Sequence, residues 1–366
     1  MNFEALVQTL TEAHQSCQQQ ATQAVNSALV VRNWLFGYYI VEFEQKGKDH
    51  AQYGSRLLVK LSENLKTSGI PGCSPTNLKN FRQFYQAYPE IRQAVTDELP
   101  DRLPLTQLSQ KFRLSWTHYQ ILIWLSNPDE RRFYEIEAAA NQWSVRELDR
   151  QINAALYDRL ALSRDQAEIK RLATEGQLIT APRDAIKDPY ILEFLNLEQR
   201  PTYSENDLET AIIDKLEQFL LELGKGFLFE SRQKRFSFEE DHFYIDLVFY
   251  NRLLRCYVLI DLKLDKLTHQ DLGQMQMYVN YFDRFVKTPD ENPTIGIVLC
   301  KRKKDALVEL TLPKDTNIFA SQYQLYLPSK AELQRQLQEA AQAIENPEKE
   351  NPTAQTNPPT KPEAKP

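Results

Sequence analysis

A chain of 366 residues and 42.7 kDa, 42% hydrophobic and 26% charged, is long enough for two ordinary domains with cores of their own. Only 10 glycines speak against a many-turned β-sandwich or propeller. The net charge of −6 excludes a protein that coats nucleic acid along its whole surface, though not one with a local basic patch. The four cysteines, at 17, 73, 256 and 300, form no C-x-x-C pair, and the five histidines no H-E-x-x-H. A zinc ribbon and a disulfide framework are therefore not expected. The start, MNFEALVQTLTEAHQ, carries acid and Gln where a signal peptide needs a basic and then an apolar stretch. No apolar run approaches the ~18 residues of a membrane span. These features predict a soluble, reduced, cytoplasmic protein with no membrane partner.

Residues 1–175 read as helix after helix. The run VNSALVVRNWLFGYYIVEFEQ places Ala28, Val31, Leu35, Tyr38, Tyr39 and Glu42 at helical spacing, giving one apolar stripe. YGSRLLVKLSENLK follows and closes at Gly69, Pro71 and Gly72; Ser74-Pro75 then opens another helix, with Ser as N-cap. Ser115 precedes WTHYQILIWL, and Ser144 with Glu147 predicts a capping box. The paired helices around residues 53–88 suit a helix-turn-helix reader of DNA, a partner-binding module, or a plain bundle. In a bundle Trp34, Trp116, Trp124 and Trp143 are core residues.

Residues 176–203, broken by Pro182, Pro189 and Pro201, read as a connector. From Ser204 the grammar changes. One capped helix, SENDLETAIIDKLEQFLLELG, runs to Gly224. Strand-like runs follow at Phe227 to Glu230, Gln233 to Phe238, Phe243 to Tyr250 and Cys256 to Leu262, then a helix from Gln270 to Phe285 and a β-branched run from Thr294 to Leu299. Over residues 204–330 this order predicts an α/β domain with a mixed central sheet. A last helix is expected over 331–344. The proline-rich tail 345–366 has no large apolar side chain and reads as disordered.

Chemistry concentrates in FYIDLVFYNRLLRCYVLIDLKL. Alternation puts Asp246 on one strand face with Tyr244 and Val248, opposite Ile245 and Leu247. On the next strand Asp261 and Lys263 share a face with Leu259. Unpaired burial of such groups would cost several kcal/mol, so they need each other, water or a metal. Two carboxylates on adjacent strands supply the hard oxygens that Mg²⁺ takes. In the preceding helix Glu209 extends the stripe of Ile212, Leu216, Phe219 and Leu223 by one turn, whereas Glu205, Asp214, Glu217 and Glu222 face elsewhere. Gln274 and Tyr278 lie one turn apart on the helix after the Asp-x-Lys strand. Cys256 and Cys300 read as small buried hydrophobes.

Glu209, Asp246, Asp261-Leu262-Lys263 and Gln274-x-x-x-Tyr278, in that order, resemble the PD-(D/E)XK nuclease superfamily and its RecB-like Q-x-x-x-Y branch. The phrases LLELGKGF, SRQKRF and GQMQMYVNYFD are similar to the YhcG-like family. YGSRLLVKLSENL, LSWTHYQILIWL and WSVRELDRQI resemble that family's helical N-terminal domain. One departure is that Ile245, not proline, precedes Asp246.

The resemblance implies a metal-dependent phosphodiesterase acting on DNA. Asp246, Asp261 and the Leu262 carbonyl would bind Mg²⁺ (or Mn²⁺). Lys263 would orient the attacking water, and Glu209 would hold a metal-bound water or a second ion. Gln274 and Tyr278 would support the metal-binding residues from behind or contact the substrate strand, and Arg232, Lys234 and Arg235 in the basic stretch would hold its phosphates. From Lys225 to Lys304, 14 Lys and Arg against 11 Asp and Glu leave +3 within an acidic chain. Genome defence, mobile-element or DNA-processing roles fit such an enzyme, with the helical domain selecting DNA or a protein partner. The alternative is a catalytically silent DNA- or protein-binding assembly module that keeps only the fold.

Overall fold

The computed structural model describes residues 2–46, 56–92, 105–162, 166–197, 202–238, 240–313 and 316–326. The helix expected over 331–344 and the tail 345–366 lie outside the described residues. Contacts divide the chain into two units. Unit one comprises residues 1–152 and 165–178, and unit two residues 153–164 and 179–366.

Unit one is helical. It contains α1 (Phe3–Lys46), α2 (Leu57–Thr67), α3 (Pro75–Ala87), α4 (Leu105–Lys111), α5 (Trp116–Leu122), α6 (Pro128–Ala140), α7 (Val145–Asn153) and, past unit two's α8 (Leu156–Leu162), α9 (Gln166–Glu175). Ser74 caps α3, accepting from the Asn77 amide at 3.2 Å. Helix α1 meets α3 at Gly37, where a Cβ would lie 2.0 Å from the Phe81 carbonyl oxygen, so only glycine permits the crossing. Around it Trp34, Phe81, Phe84 and Tyr119 are buried in a chain of ring contacts, with Phe84 and Tyr119 at 5.0 Å. Trp34 is core, as expected. Trp124 is not: 55% exposed, it lies beside the Lys79 ammonium, which sits 5.7 Å from its ring.

Unit two is a six-stranded mixed sheet flanked by helices. Its strands are β1 (Tyr190–Ile191), β2 (Phe227–Phe238), β3 (Asp241–Asn251), β4 (Cys256–Lys266), β5 (Ile295–Arg302) and β6 (Ile318–Gln324). Their order is β1-β6-β5-β4-β3-β2. Strands β2, β3 and β4 pair antiparallel, whereas β4, β5, β6 and β1 run parallel. The helix expected as one piece from Ser204 breaks at Lys215 into α10 (Glu205–Asp214) and α11 (Leu216–Leu223). Leu208, Ile212, Phe219 and Leu223 from these two helices cover one sheet face with Leu247, Ile260 and Ile297. Helix α12 (His269–Tyr281) covers the other, packing Leu272, Met275 and Tyr278 against Val248, Leu259 and Val298. It approaches β5 closely because Gly296 has no Cβ; one would sit 2.6 Å from Met275 Cγ.

The stretch read as a connector is built into this unit. Tyr190-Ile191 pairs with β6, and Tyr190, Leu192, Leu195 and Leu197 join the core. A fully buried ion pair ties it down. Arg159 Nη1 on α8 lies 2.6 Å from Glu222 Oε1 on α11, and both side chains are 0% exposed. Arg159 also donates to the Pro189 and Ala154 carbonyls, while the Ile191 amide donates to the same Glu222 oxygen at 2.9 Å. Glu222, expected to face away from the helix's apolar stripe, is thus buried all the same.

Arg159→Ala would leave Glu222 buried without its cation, which costs about 3–5 kcal/mol. Arg171→Ala, at a pair with Glu175 whose side chains are 57% and 49% exposed, should cost under about 1 kcal/mol. Urea denaturation of both variants checks this. Equal losses would mean that the buried pair does not hold the segment in place.

Candidate active site

Strands β3 and β4 are paired from Asn251–Cys256 to Leu247–Ile260 and then part. Where β3 leaves, the Asp246 carboxylate accepts from the Leu262 amide at 2.8 Å, taking a donor that the β3 backbone no longer meets. The parting also turns β3. Ile245, expected opposite Asp246's face, joins the α12 side of the core with Val248. Next to the split Asp261 is 3% exposed, and Lys263 Nζ lies 2.8 Å from its Oδ2 and 4.0 Å from Glu205 Oε2.

From the other side β2 and α10 close the cluster. Glu209 is 2% exposed, and its Oε1 lies 3.0 Å from Arg232 Nε. Gln233 donates to both Asp246 Oδ1, at 3.0 Å, and Glu209 Oε2. Sequence reading passed over this glutamine. It sits at φ +46°, a left-handed backbone rare for a non-glycine residue, and its amide joins two carboxylates. The signal available was its place in β2, between Arg232 opposite Leu247 and Lys234 opposite Ile245, hence across from Asp246.

Burial, and then the charge of Asp246, push the Asp261 carboxyl up to about 7 against the opposing pull of Lys263. Burial likewise raises Glu209 above the usual carboxylate range, although Gln233 and Arg232 oppose it. For Lys263 burial works against the ammonium, but Asp261, Glu205 and Asp246 outweigh it and hold the group above its ordinary value. Lys263 is therefore a cation at neutral pH, a donor and not a base.

Of the other predicted positions, Lys234 and Arg235 have partners elsewhere, whereas Tyr278 lies near enough for Asp261, Asp246 and Lys263 to act on its phenol. Lys234 pairs with Glu230 at 3.0 Å, and Arg235 meets His242 at 3.0 Å farther along the β2–β3 hairpin. Tyr278 is 1% exposed, which suits the supporting place expected for it and not a contact with the substrate strand. Its hydroxyl accepts from the Gln274 amide and donates to the Tyr244 carbonyl at 2.9 Å, which pins β3 two residues before Asp246. Burial raises that phenol to about 12.

Comparison with known proteins gives this geometry its family. Residues 183–338 match the YhcG PDDEXK nuclease domain, and residues 9–159 match the DUF1016 N-terminal domain. The chain is 38% identical over 339 residues to a protein of Escherichia coli (strain K12) named "Putative nuclease YhcG", covering 88% of this chain and 90% of that one. The chain belongs to the YhcG family. A solved structure, the crystal structure of a repair endonuclease from Pyrococcus abyssi, overlaps 35% of this chain and 50% of that chain at 18% identity and a TM-score of 0.24.

Whether the PDDEXK domain suits a divalent ion is a question about its donors. Among the described residues no group of three or more His, Cys, Asp or Glu forms a ready-made cage. Asp246 and Asp261 nevertheless offer hard oxygens, and the buried Asp261 is short of positive charge. That donor set fits an ion such as Mg²⁺, which takes few protein ligands and keeps water.

The raised Asp261 predicts a stability signature without metal. Its folded form holds the proton to higher pH than the unfolded chain, so its contribution is full at acid pH and is lost between pH ~4 and ~7. In chelator at pH 8, Asp261→Asn should melt above wild type by roughly 2–4 °C, the shift given by about 1 kcal/mol in a domain of this size. The lead should vanish toward pH 5. Calorimetry at the two pH values decides; equal melting at pH 8 would mean that Lys263 offsets the buried charge in full.

Proposed function

We propose that this chain is a Mg²⁺-dependent DNA phosphodiesterase. The observation that carries the reading is a buried Asp261, beside Asp246 at a strand split, with the Lys263 ammonium 2.8 Å away. Asp246, Asp261 and the Leu262 carbonyl would hold Mg²⁺ or Mn²⁺, with Glu209 beside them for a bound water or a second ion. When bound, the ion supplies Lewis-acid charge at the phosphate and a water acidic enough to attack.

The chain's own residues do the rest. Lys263, kept charged by Asp261 and Glu205, donates to the attacking water and to the phosphoryl oxygens, offsetting charge that grows in the transition state. Gln233 holds Asp246 and Glu209 in register through its amide. Arg232, half-exposed beside Glu209, can turn a guanidinium edge toward a backbone phosphate. Tyr278 and Gln274 act through β3 as positioning residues.

The intact set of acids and lysine weighs against a silent assembly module, which has no need for a buried, charge-strained carboxylate. In this reading the protein works in the cytoplasm, in genome defence, mobile-element control or DNA processing. Its helical unit selects DNA or a protein partner. Among the described residues no helix is long and apolar enough to cross a membrane.

Purified protein with Mg²⁺ should nick plasmid DNA and lose that activity in chelator. Lys263→Ala should bind Mg²⁺ as wild type does while cleaving about 10²-fold more slowly, the scale of losing one preorganised charge. Asp261→Asn should not cleave. Single-turnover cleavage read beside calorimetric metal binding decides the role of Lys263. Full cleavage with intact metal binding would remove it from the chemistry, and joint loss of both would make it a structural ion-pair partner.

A further inference from the structure

Away from the carboxylate cluster, unit two has a cavity of about 690 Å³ at the ends of β5 and β6. Asp265 on its wall lies two residues past Lys263 on β4, about 7 Å at strand rise. Tyr203 on its opposite wall lies two residues before Glu205, whose carboxylate is 4.0 Å from Lys263. Glu205 also lies close enough to Tyr323 to act on its phenol, so one carboxylate neighbours both the lysine and the cavity wall. None of its lining was singled out as a site by sequence.

The lining is of an unusual kind. Tyr203 and the 40% exposed Tyr326 line it, and Tyr323, 2% exposed and part of the sheet's core, adjoins them. The Lys301 ammonium sits 5.8 Å from the centre of the Tyr203 ring. Gln324 brings an amide whose oxygen is buried and has no hydrogen-bond partner among the described residues. Burial, and then a hydrogen bond with Tyr203, raise the Tyr323 phenol above its usual range, so these two hydroxyls meet each other. A purely apolar ligand would leave the buried Gln324 oxygen unpaired, and an inorganic anion would make no use of the rings. A flat heterocycle with polar edges on a phosphate chain meets all of them: the Tyr203 and Tyr326 rings for stacking, the Gln324 amide for a base edge, and the ammonium for the phosphate.

We propose that this tyrosine-lined cavity holds an unpaired nucleotide of the strand running past the active site, so that the enzyme favours DNA with a single-stranded end or flap. A base inside a duplex is stacked on both faces and cannot enter such a cavity. The proposal rests on the nuclease reading for its substrate, but the binding it describes can be measured without turnover.

The test uses full-length Asp261→Asn protein and fluorescence anisotropy on three DNAs of equal length. These are a blunt duplex, a duplex with a single-stranded overhang, and the same overhang made of abasic nucleotides. The parent should bind the overhang about tenfold more tightly than either control, the scale of one base stacked on an aromatic ring. Tyr326→Ala, at a 40% exposed ring, should lose most of that preference and change blunt-duplex binding less than twofold. Tyr326→Phe should retain it, and Lys301→Gln should weaken normal and abasic overhangs alike. Equal binding of all three DNAs, or equal loss by Tyr326→Ala on blunt and overhang DNA, overturns the proposal. If wild type cleaves no DNA with Mg²⁺ yet the overhang preference and its loss are seen, the nuclease reading fails and the nucleotide site stands.

Discussion

The site depends on a hydrogen bond that a side chain makes in place of a backbone. Where β3 parts from β4 after the Leu247–Ile260 pair, the Leu262 amide is met by the Asp246 carboxylate at 2.8 Å. An unmet buried amide would cost about 1–3 kcal/mol, so Asp246 stabilises the split that it occupies. The split in turn sets Asp261 against a second carboxylate with little water to separate them. Everything else in the cluster answers that strain. Lys263 pairs with Asp261, Gln233 spans Asp246 and Glu209, and Arg232 sits on Glu209.

Such an arrangement holds only on a stiff scaffold, and the sheet's two helical layers provide one. On one face α12 is drawn onto β5 over Gly296, and Tyr278 reaches across to the Tyr244 carbonyl. The β3 backbone is thus fixed just before it turns away. On the other face α10 delivers Glu209 from a row of buried apolar residues, Leu208 and Ile212 among them. The break at Lys215 lets α11 take its own course, with Glu222 directed inward to Arg159. A buried pair of this sort adds little net stability over apolar residues of the same size, but breaking it is expensive. Its effect is to specify where α8 and the β1 segment lie.

Much of this was legible in the residues, and the rest was not, for identifiable reasons. Strands β3, β4 and β5 announce themselves through dense β-branched and aromatic runs, and a charged residue inside such a run stands out. Asp246, Asp261 and Lys263 were visible for that reason, and Glu209 because it prolongs an apolar stripe. Strand β6, IFASQYQ, is half polar, and β1 is two residues long beside a proline, so neither rises above the texture of a loop. Glu222 misled because helical spacing assigns a face but not what packs on it; its partner Arg159 lies 63 residues away. Gln233 was hidden because its importance comes from pairing register and a left-handed backbone, which a single strand does not print in its composition. Tyr278 was located correctly on its helix, but whether its hydroxyl points at substrate or at a backbone carbonyl is a question of packing.

The charges at the site bear on the kind of partner that the proposed reading calls for. Asp246, Asp261, Glu209 and Glu205 set against Lys263 and Arg232 leave two formal negative charges, in a place where Asp261 already titrates at about 7. A polyanion brought to that cluster alone would be repelled. In the proposed reading a divalent ion supplies the missing two charges, after which Lys263 is no longer needed as the counter-ion of Asp261 and can turn to the phosphate. Arg232, half-exposed beside Glu209, and Lys301, exposed at the end of β5, are the cations past which the DNA backbone would run. Attraction therefore comes from the flanks and chemistry from the centre. An acidic protein can use DNA as a substrate on these terms, because its positive potential need extend only about a Debye length, ~8–10 Å, around the scissile bond.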